Sequence, residues 1–246
     1  MTTLVIDIGN TSTSIGYYRN GRIRGAGRCP SRFKSPDEVM SLISRHPVDL
    51  VVIASVVPPV EARWKRVLKA AGLPGPLFVS HRLQLGITVD YPDPDRIGAD
   101  RLANAAAAAR LIGKPSVVCD FGTALTFDVL HRERGYIGGI ICPGLPLMFD
   151  YLAEKTALLP HVEPSVTQAV VGRNTRQAMQ IGARLGYRGM VRGVLDALRV
   201  ELDAPDLPVC CTGGYAGWIF RKWDVEAVID PNLTLKGLGI IGDLNG

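Results

Sequence analysis

The apolar positions of this chain fall in short runs that stop at an acid and a glycine. Residues 4–18 read LVIDIGNTSTSIGYY, and residues 116–130 read SVVCDFGTALTFDVL. In each, an apolar run leads to a carboxylate (Asp7 or Asp120). A glycine follows after one intervening residue (Gly9 or Gly122), then small hydroxylated or amide residues, then β-rich sequence again. The first block predicts strands over LVIDIGN and TSIGYYRNGRIRGAGR, with Asn20-Gly21 as a hairpin turn. Ser35-Pro36-Asp37-Glu38 predicts the start of a helix running to Arg45, with acids in its first turn. LVVIASVV (50–57) is a continuous apolar run bounded by prolines, as expected of a strand buried on both faces. Residues 60–71 predict a helix and PLFVS (76–80) a short strand.

The Ala-rich segment 98–113 favours helix and carries the chain to the second acid turn. Strands over 116–130 and 135–142 follow, then helices over about 146–157 and 174–201. LPVCC (207–211) reads as a strand ending in Thr212-Gly213-Gly214, and the tail closes with a short apolar segment. Alternating strands and helices predict an α/β protein. Because the acid turn recurs about half a chain later, two duplicated lobes are expected, residues 1–113 and 114–246, packed closely.

Composition narrows the classes. The 246 residues can bury a proper core, and 47% hydrophobic with 21% charged residues is ordinary for a globular protein. The start, MTTLVIDIG, has no basic region ahead of its apolar run, which argues against a secretion signal. The longest charge-free apolar stretch is broken by glycines and prolines and is shorter than the ~20 residues of a membrane helix. Five cysteines without a CxxC pair read as reduced, core-packed thiols of a cytoplasmic protein. The four histidines are scattered without zinc-like spacing. The net charge is +5, with five cations and no acid between Gly21 and Lys34. A lone aromatic, Phe33, is not the regular interleaving of a nucleic-acid footprint, so this segment reads as a solvated face, and no nucleic-acid or membrane partner is expected.

The chemistry lies in the turns. A small-residue turn lets backbone N–H groups approach a phosphate, and the acid ahead of it faces a cation. Two such turns suggest two jaws of a nucleotide-triphosphate clamp, with Thr212-Gly213-Gly214 opening a helix where an adenosine could lie. Other nucleotide signatures fail. Gly113-Lys114 lacks the upstream glycine of a Walker loop. Gly237-Leu238-Gly239-Ile240-Ile241-Gly242 has only four residues after it, too few for a βαβ unit.

This order of motifs is that of the actin and sugar-kinase superfamily, which implies two ribonuclease-H-like lobes with a nucleotide cleft between them. Within it the chain resembles the type III pantothenate kinases from end to end. The matching segments are Asp7-Ile8-Gly9-Asn10-Thr11, Gly98-Ala99-Asp100-Arg101 and Asp120-Phe121-Gly122-Thr123-Ala124. Further on come Gly138-Gly139-Ile140-Ile141-Cys142-Pro143-Gly144, Asn174-Thr175 ahead of Ala178-Met179-Gln180, and Leu233-Thr234-Leu235-Lys236-Gly237-Leu238. Departures are small: Leu125 stands where many members have Thr, and Cys119 where Val is common.

The resemblance implies ATP-dependent phosphorylation of the primary hydroxyl of pantothenate, the first step of coenzyme A synthesis. It makes Asp100 the proton acceptor, in a pocket lined by Tyr91, Gly98, Ala99, Arg101 and Thr175. A helix start should lower the Asp100 pKa. Whether Arg101 grips the substrate carboxylate or a protein acid is open. Asp7, Ile8, Gly9, Asn10, Thr11, Ser12, Thr13 and Ser14 would wrap the ATP phosphates, with Thr123 also on ATP. Asp7 would bind Mg2+, and Asp120 a monovalent cation, K+ or NH4+. The resemblance further implies a homodimer. The alternatives are a kinase for another small hydroxylated substrate and an ATP-binding regulator without turnover; the presence of Asp7, Asp100 and Asp120 argues against the latter.

Overall fold

Two sheets of five strands each organise the chain, and they share one plan. A computed structural model describes residues 1–44, 46–165 and 167–246. The first sheet contains β1 (Thr3–Ile8), β2 (Ser12–Arg19), β3 (Arg22–Pro30), β4 (Leu50–Ser55) and β5 (Pro76–Phe78), in the order β3-β2-β1-β4-β5. The second contains β6 (Ser116–Phe121), β7 (Ala124–His131), β8 (Gly135–Pro143), β9 (Val209–Thr212) and β10 (Val228–Ile229), in the order β10-β9-β6-β7-β8. Counted from its own first strand, each sheet has the same 3-2-1-4-5 order. Each acid turn joins the first two strands of its sheet, so the repeat in sequence is a repeat in topology. This is the ribonuclease-H-like α/β arrangement expected.

The helices are α1 (Asp37–Ile43), α2 (Pro58–Ala70), α3 (Ala99–Leu111), α4 (Leu145–Lys155), α5 (Thr175–Glu201), α6 (Ala216–Ile219) and α7 (Leu233–Asn245). The expected end of the first helix at Arg45 lies outside the described residues. Packing divides the chain into two compact units. One holds Met1–Ser116, Asp128–Gly138 and Asn232–Gly246; the other holds Val117–Phe127 and Gly139–Pro231. The tail, grouped by sequence order with the second half, therefore packs with the first.

In the first unit β1 is buried on both faces, as its unbroken apolar run requires. Leu4, Ile6 and Ile8 face one cluster with Trp64, Phe33 and Ile53. Val5, on the opposite face, packs with Leu102 and Ala103 of α3 and with Leu235 and Leu238 of α7. Strand alternation puts Asp7 on that same face, the one covered by the helix that starts at Ala99. The cationic segment forms β3 at the sheet edge, where Arg22, Arg24 and Arg28 are exposed. The hairpin turn is as expected, with Asn20 (φ 49) and Gly21 (φ 76) both left-handed.

The tail is a 13-residue helix rather than a short apolar segment. Its glycines make it possible. At Gly237 a Cβ would run into the backbone carbonyl of Ala103, and at Gly239 into the ring of Tyr18. The alanines of α3 and the glycines of α7 are thus two halves of one close contact, bolstered by the buried hydrogen bond from Thr234 Oγ1 to Asn104 Oδ1 (2.8 Å). Gly237→Ala should cost about 3 kcal/mol, because the atom it meets is backbone and cannot rotate away. Urea denaturation would measure the loss. Native stability would contradict this account of α7.

Candidate active site

The first acid turn is braced from below. Gly9 N–H donates to Ser12 O at 3.2 Å, and Ser31 Oγ donates to Gly9 O at 2.5 Å. Ser31 N–H donates to Thr11 O at 3.2 Å, and the Thr13 and Ser31 hydroxyls meet at 3.1 Å. Asn10 and Thr11 are exposed at the tip, whereas the Ile8 and Thr13 side chains are fully buried. Of the eight residues expected around phosphates, Gly9 to Ser12 therefore form the turn itself. Asp7 and Ser14 are register partners in the strands that carry it. Ser31, in the cationic loop, was not singled out from the sequence.

Helix α3 begins the second constellation. Gly98 is its N-cap (φ −57, ψ 135), and a Cβ there would lie 2.5 Å from Asp100 Oδ1. That oxygen accepts the Arg101 N–H at 2.8 Å. Asp100 is half-buried, and burial raises its pKa above the ordinary carboxylate value, against the opposing pull of the Arg101 N–H and the Arg101 charge. The helix-start argument pointed the other way. Loss of hydration outweighs the favourable helix end here.

Arg101 does grip a protein acid. Its Nε donates to Asp128 Oδ1 at 2.5 Å, and Asp128 is completely buried. Tyr136 Oη donates to the same oxygen at 3.4 Å, and its ring lies 5.8 Å from the Arg101 guanidinium carbon. Burial and the Asp128 charge push the Tyr136 phenol up, so it stays a donor. Arg101 Nη2 is buried and has no hydrogen-bond partner among the described residues. A buried, unpaired guanidinium N–H is costly, and an anionic ligand oxygen would satisfy it. Tyr91 stands beside this group, its ring 6.3 Å from that of Tyr136 and 3.0 Å from the Cβ position of Gly138 (φ 114). The Tyr91 loop is held by the hydrogen bond from Asp90 N–H to Tyr136 O (2.9 Å) and by the ion pair of Arg134 with Asp90 (2.5 Å). Tyr91, Gly98, Ala99, Asp100 and Arg101 all belong to the first unit. Asp128 and Tyr136 were missed; the available signal was a lone acid inside the apolar run FDVL.

In the second unit, Asp120 on β6 is the register partner of Thr212 on the adjacent parallel strand β9. Gly213 (φ 88) has its Cβ position 2.6 Å from Asp120 Oδ1, so the second acid turn and the Thr-Gly-Gly segment meet at one end of the sheet. The turn repeats the first in its bonding: Gly122 N–H donates to Ala124 O at 3.1 Å, and Gly144 N–H to Thr123 O at 3.1 Å. Thr175 is exposed as the first residue of α5. Asn174 Oδ1 accepts the Gln177 N–H (2.9 Å) while Gln177 Oε1 accepts the Arg173 N–H (2.8 Å), a reciprocal cap. No group of three His, Cys, Asp or Glu among the described residues could hold a metal alone. Single acids at turns suit Mg2+, which keeps several waters and shares one or two carboxylates with substrate phosphates.

The sequence model of the type III pantothenate kinase family matches residues 3–197. A type III pantothenate kinase from Methylacidiphilum infernorum (isolate V4) is 38% identical over 243 residues, covering 98% of this chain and 88% of the relative. Another, from Akkermansia muciniphila, is 41% identical over 247 residues and covers 100% of both. Among solved structures, a Campylobacter jejuni protein described as a candidate Baf family transcriptional activator aligns with a TM-score of 0.63 at 18% identity, covering 98% and 97% of the two chains. A candidate 2-dehydro-3-deoxygalactonokinase from Sinorhizobium meliloti gives 0.58 at 16%, covering 98% of each. At such identities the structural likenesses concern the fold alone. The sequence matches go further, and with the paired acid turns and the buried Arg101–Asp128 pair beside Asp100 they place the chain in one family: it belongs to the type III pantothenate kinases.

Proposed function

We propose a division of labour among these residues for the family's reaction, ATP-dependent phosphorylation of pantothenate in coenzyme A biosynthesis. Asp100 positions the primary hydroxyl and accepts its proton. The hydroxyl oxygen bonds to the γ-phosphorus, the bond from that phosphorus to the bridging oxygen breaks, and ADP departs with the electron pair. Asp100 suits this role because burial raises its pKa without removing its charge partner Arg101.

Arg101 Nη2 binds the pantothenate carboxylate, with Tyr91, Gly98 and Ala99 around the substrate and Thr175 as a further contact. The carrying observation is that Nη2: buried, donor-only and without a partner among the described residues, on the residue that follows the candidate base. Gly9 to Ser12, flanked by Asp7, Ile8, Thr13 and Ser14, receive the phosphates together with Thr123. Magnesium, held with Asp7, neutralises phosphate charge when bound. Asp120 holds a monovalent cation.

Two further properties are part of this reading. Exposed Leu147 and Tyr151 on α4 and Leu185 and Val200 on α5 support a homodimer formed through the second unit. All five cysteines are free, which supports a cytoplasmic site; no helix among the described residues is long and apolar enough to cross a membrane.

The reading is tested by purified protein with ATP, Mg2+, K+ and pantothenate, following phosphopantothenate. A small sugar or another hydroxy acid preferred over pantothenate would overturn the substrate assignment. Replacing K+ with Na+ should depress the rate strongly, and Asp120→Asn should flatten that dependence. Equal rates in both salts with the native protein would exclude the cation role.

A further inference from the structure

A group of cations on the second unit stands apart from the acid turn. Arg184 and Arg188 lie one helical turn apart on α5. With Arg221, just beyond α6, they line a small pocket shared with Ser165, Thr167, Gln168 and Trp218. Part of their bonding is structural. Arg188 Nε donates to Ile219 O (2.9 Å) and its Nη2 to Arg221 O (2.7 Å), closing the C-terminal end of α6. Arg184 Nη2 donates to Ala169 O (2.7 Å), and Trp218 Nε1 to Ser165 O (3.3 Å).

That bonding leaves a surplus of positive charge. Arg184 Nε is buried without a hydrogen-bond partner among the described residues. Among the described residues no carboxylate lies within ion-pair distance of Arg184, Arg188 or Arg221; the neighbouring Asp224 pairs with Arg192. Burial and the adjacent Arg184 charge both press on Arg188, with Asp224 offsetting only in part. Two guanidiniums side by side without an acid are unfavourable unless an anion joins them. A tetrahedral oxyanion offers several acceptor oxygens at once, matching converging guanidinium donors, two hydroxyls and an amide.

We propose that this pocket is a binding site for a phosphate-class oxyanion, distinct from the nucleotide turn of the same unit. The two lie at opposite ends of α6: Gly213, against Asp120, precedes the helix, whereas Arg188 and Arg221 gather at its last carbonyls. The oxyanion is either free phosphate or the terminal group of a phosphomonoester. It bridges α5 to Ser165, Thr167 and Gln168, which lie upstream of Asn174 and Thr175.

The test is calorimetric titration of inorganic phosphate, and separately of methyl phosphate, into the full chain. Magnesium and a non-hydrolysable ATP analogue are present at saturation, so the acid turns are filled, and chloride sets equal ionic strength. One saturable site per chain is expected, weakened about ten-fold or more by Arg184→Gln or by the solvent-facing Arg221→Gln, with the ATP analogue bound as tightly as before. Tighter binding of phosphate than of methyl phosphate identifies the free ion, and the reverse identifies the ester. Absence of saturable heat beside the bound ATP analogue would overturn the proposal, as would unchanged affinity in Arg221→Gln, whose exposed position protects the fold.

Discussion

Asp100→Asn is expected to lower pantothenate turnover by ~10²–10⁴ while leaving the protein folded. Asparagine is nearly isosteric, keeps an oxygen to accept the Arg101 N–H, and is acceptable at a helix start. What it loses is the capacity to take the hydroxyl proton. Stability should move the other way. Burial raises the Asp100 pKa in the folded state, so between the unfolded value, ~3.9, and the raised one the folded chain binds the proton more tightly. Ionising Asp100 therefore costs stability as pH rises through that window, and the cost is complete once the pH exceeds the raised value. The amide is free of it. At pH 7 the variant should unfold at a temperature at least as high as the parent, and the advantage should vanish below the ordinary carboxylate range. The acid limb of the parent's activity should likewise fall at higher pH than an unperturbed carboxylate would give. Thermal unfolding and phosphorylation rates on this one variant decide the matter: near-native turnover would refute the catalytic role, and marked destabilisation at pH 7 would make Asp100 structural.

Asp128→Asn should destabilise the first unit by about 3 kcal/mol, because it leaves the Arg101 charge buried without its counter-ion. The amide can still accept from Arg101 Nε, which keeps the loss at the lower end for a broken buried pair. Function should change in a characteristic way. Asp128 touches no substrate in this account; it fixes the guanidinium whose Nη2 awaits the carboxylate. The pantothenate KM should therefore rise more than kcat falls, the opposite of Asp100→Asn. Tyr136→Phe removes only a long hydrogen bond to the same oxygen and should cost about 1 kcal/mol or less. Urea denaturation with steady-state kinetics checks both. An Asp128→Asn protein with native stability and native KM would show that the buried pair neither holds the unit nor orients Arg101.

What could be read from the sequence follows the range of the forces involved. LVIDIG and VVCDFG were legible because strands buried on both faces write unbroken apolar runs, and because a glycine after the acid marks the turn. Helix α5 was expected over 174–201 and spans Thr175–Glu201; the cap that starts it, Asn174 with Gln177, joins residues within four of each other. Helix α7 did not. Gly237 and Gly239 lower local helix propensity, and the reason for them is Ala103 and Tyr18, over a hundred residues away. The Arg101–Asp128 pair was hidden for the same reason, since a strand acid does not name its partner. The Asp100 pKa was read with the wrong sign because the helix start is local information and burial is not. Most of the substrate and nucleotide residues came from the resemblance of whole motifs rather than from periodicity.

The most direct measurement of the central claim is the stoichiometry of a single reaction mixture. Purified chain, ATP, Mg2+ and K+ are incubated with and without pantothenate, and ADP and phosphopantothenate are both quantified. The account predicts that ADP forms only with pantothenate, one for one with phosphopantothenate, and that both products collapse together in Asp100→Asn. ADP formation indifferent to pantothenate, or no phosphopantothenate at all, would contradict it.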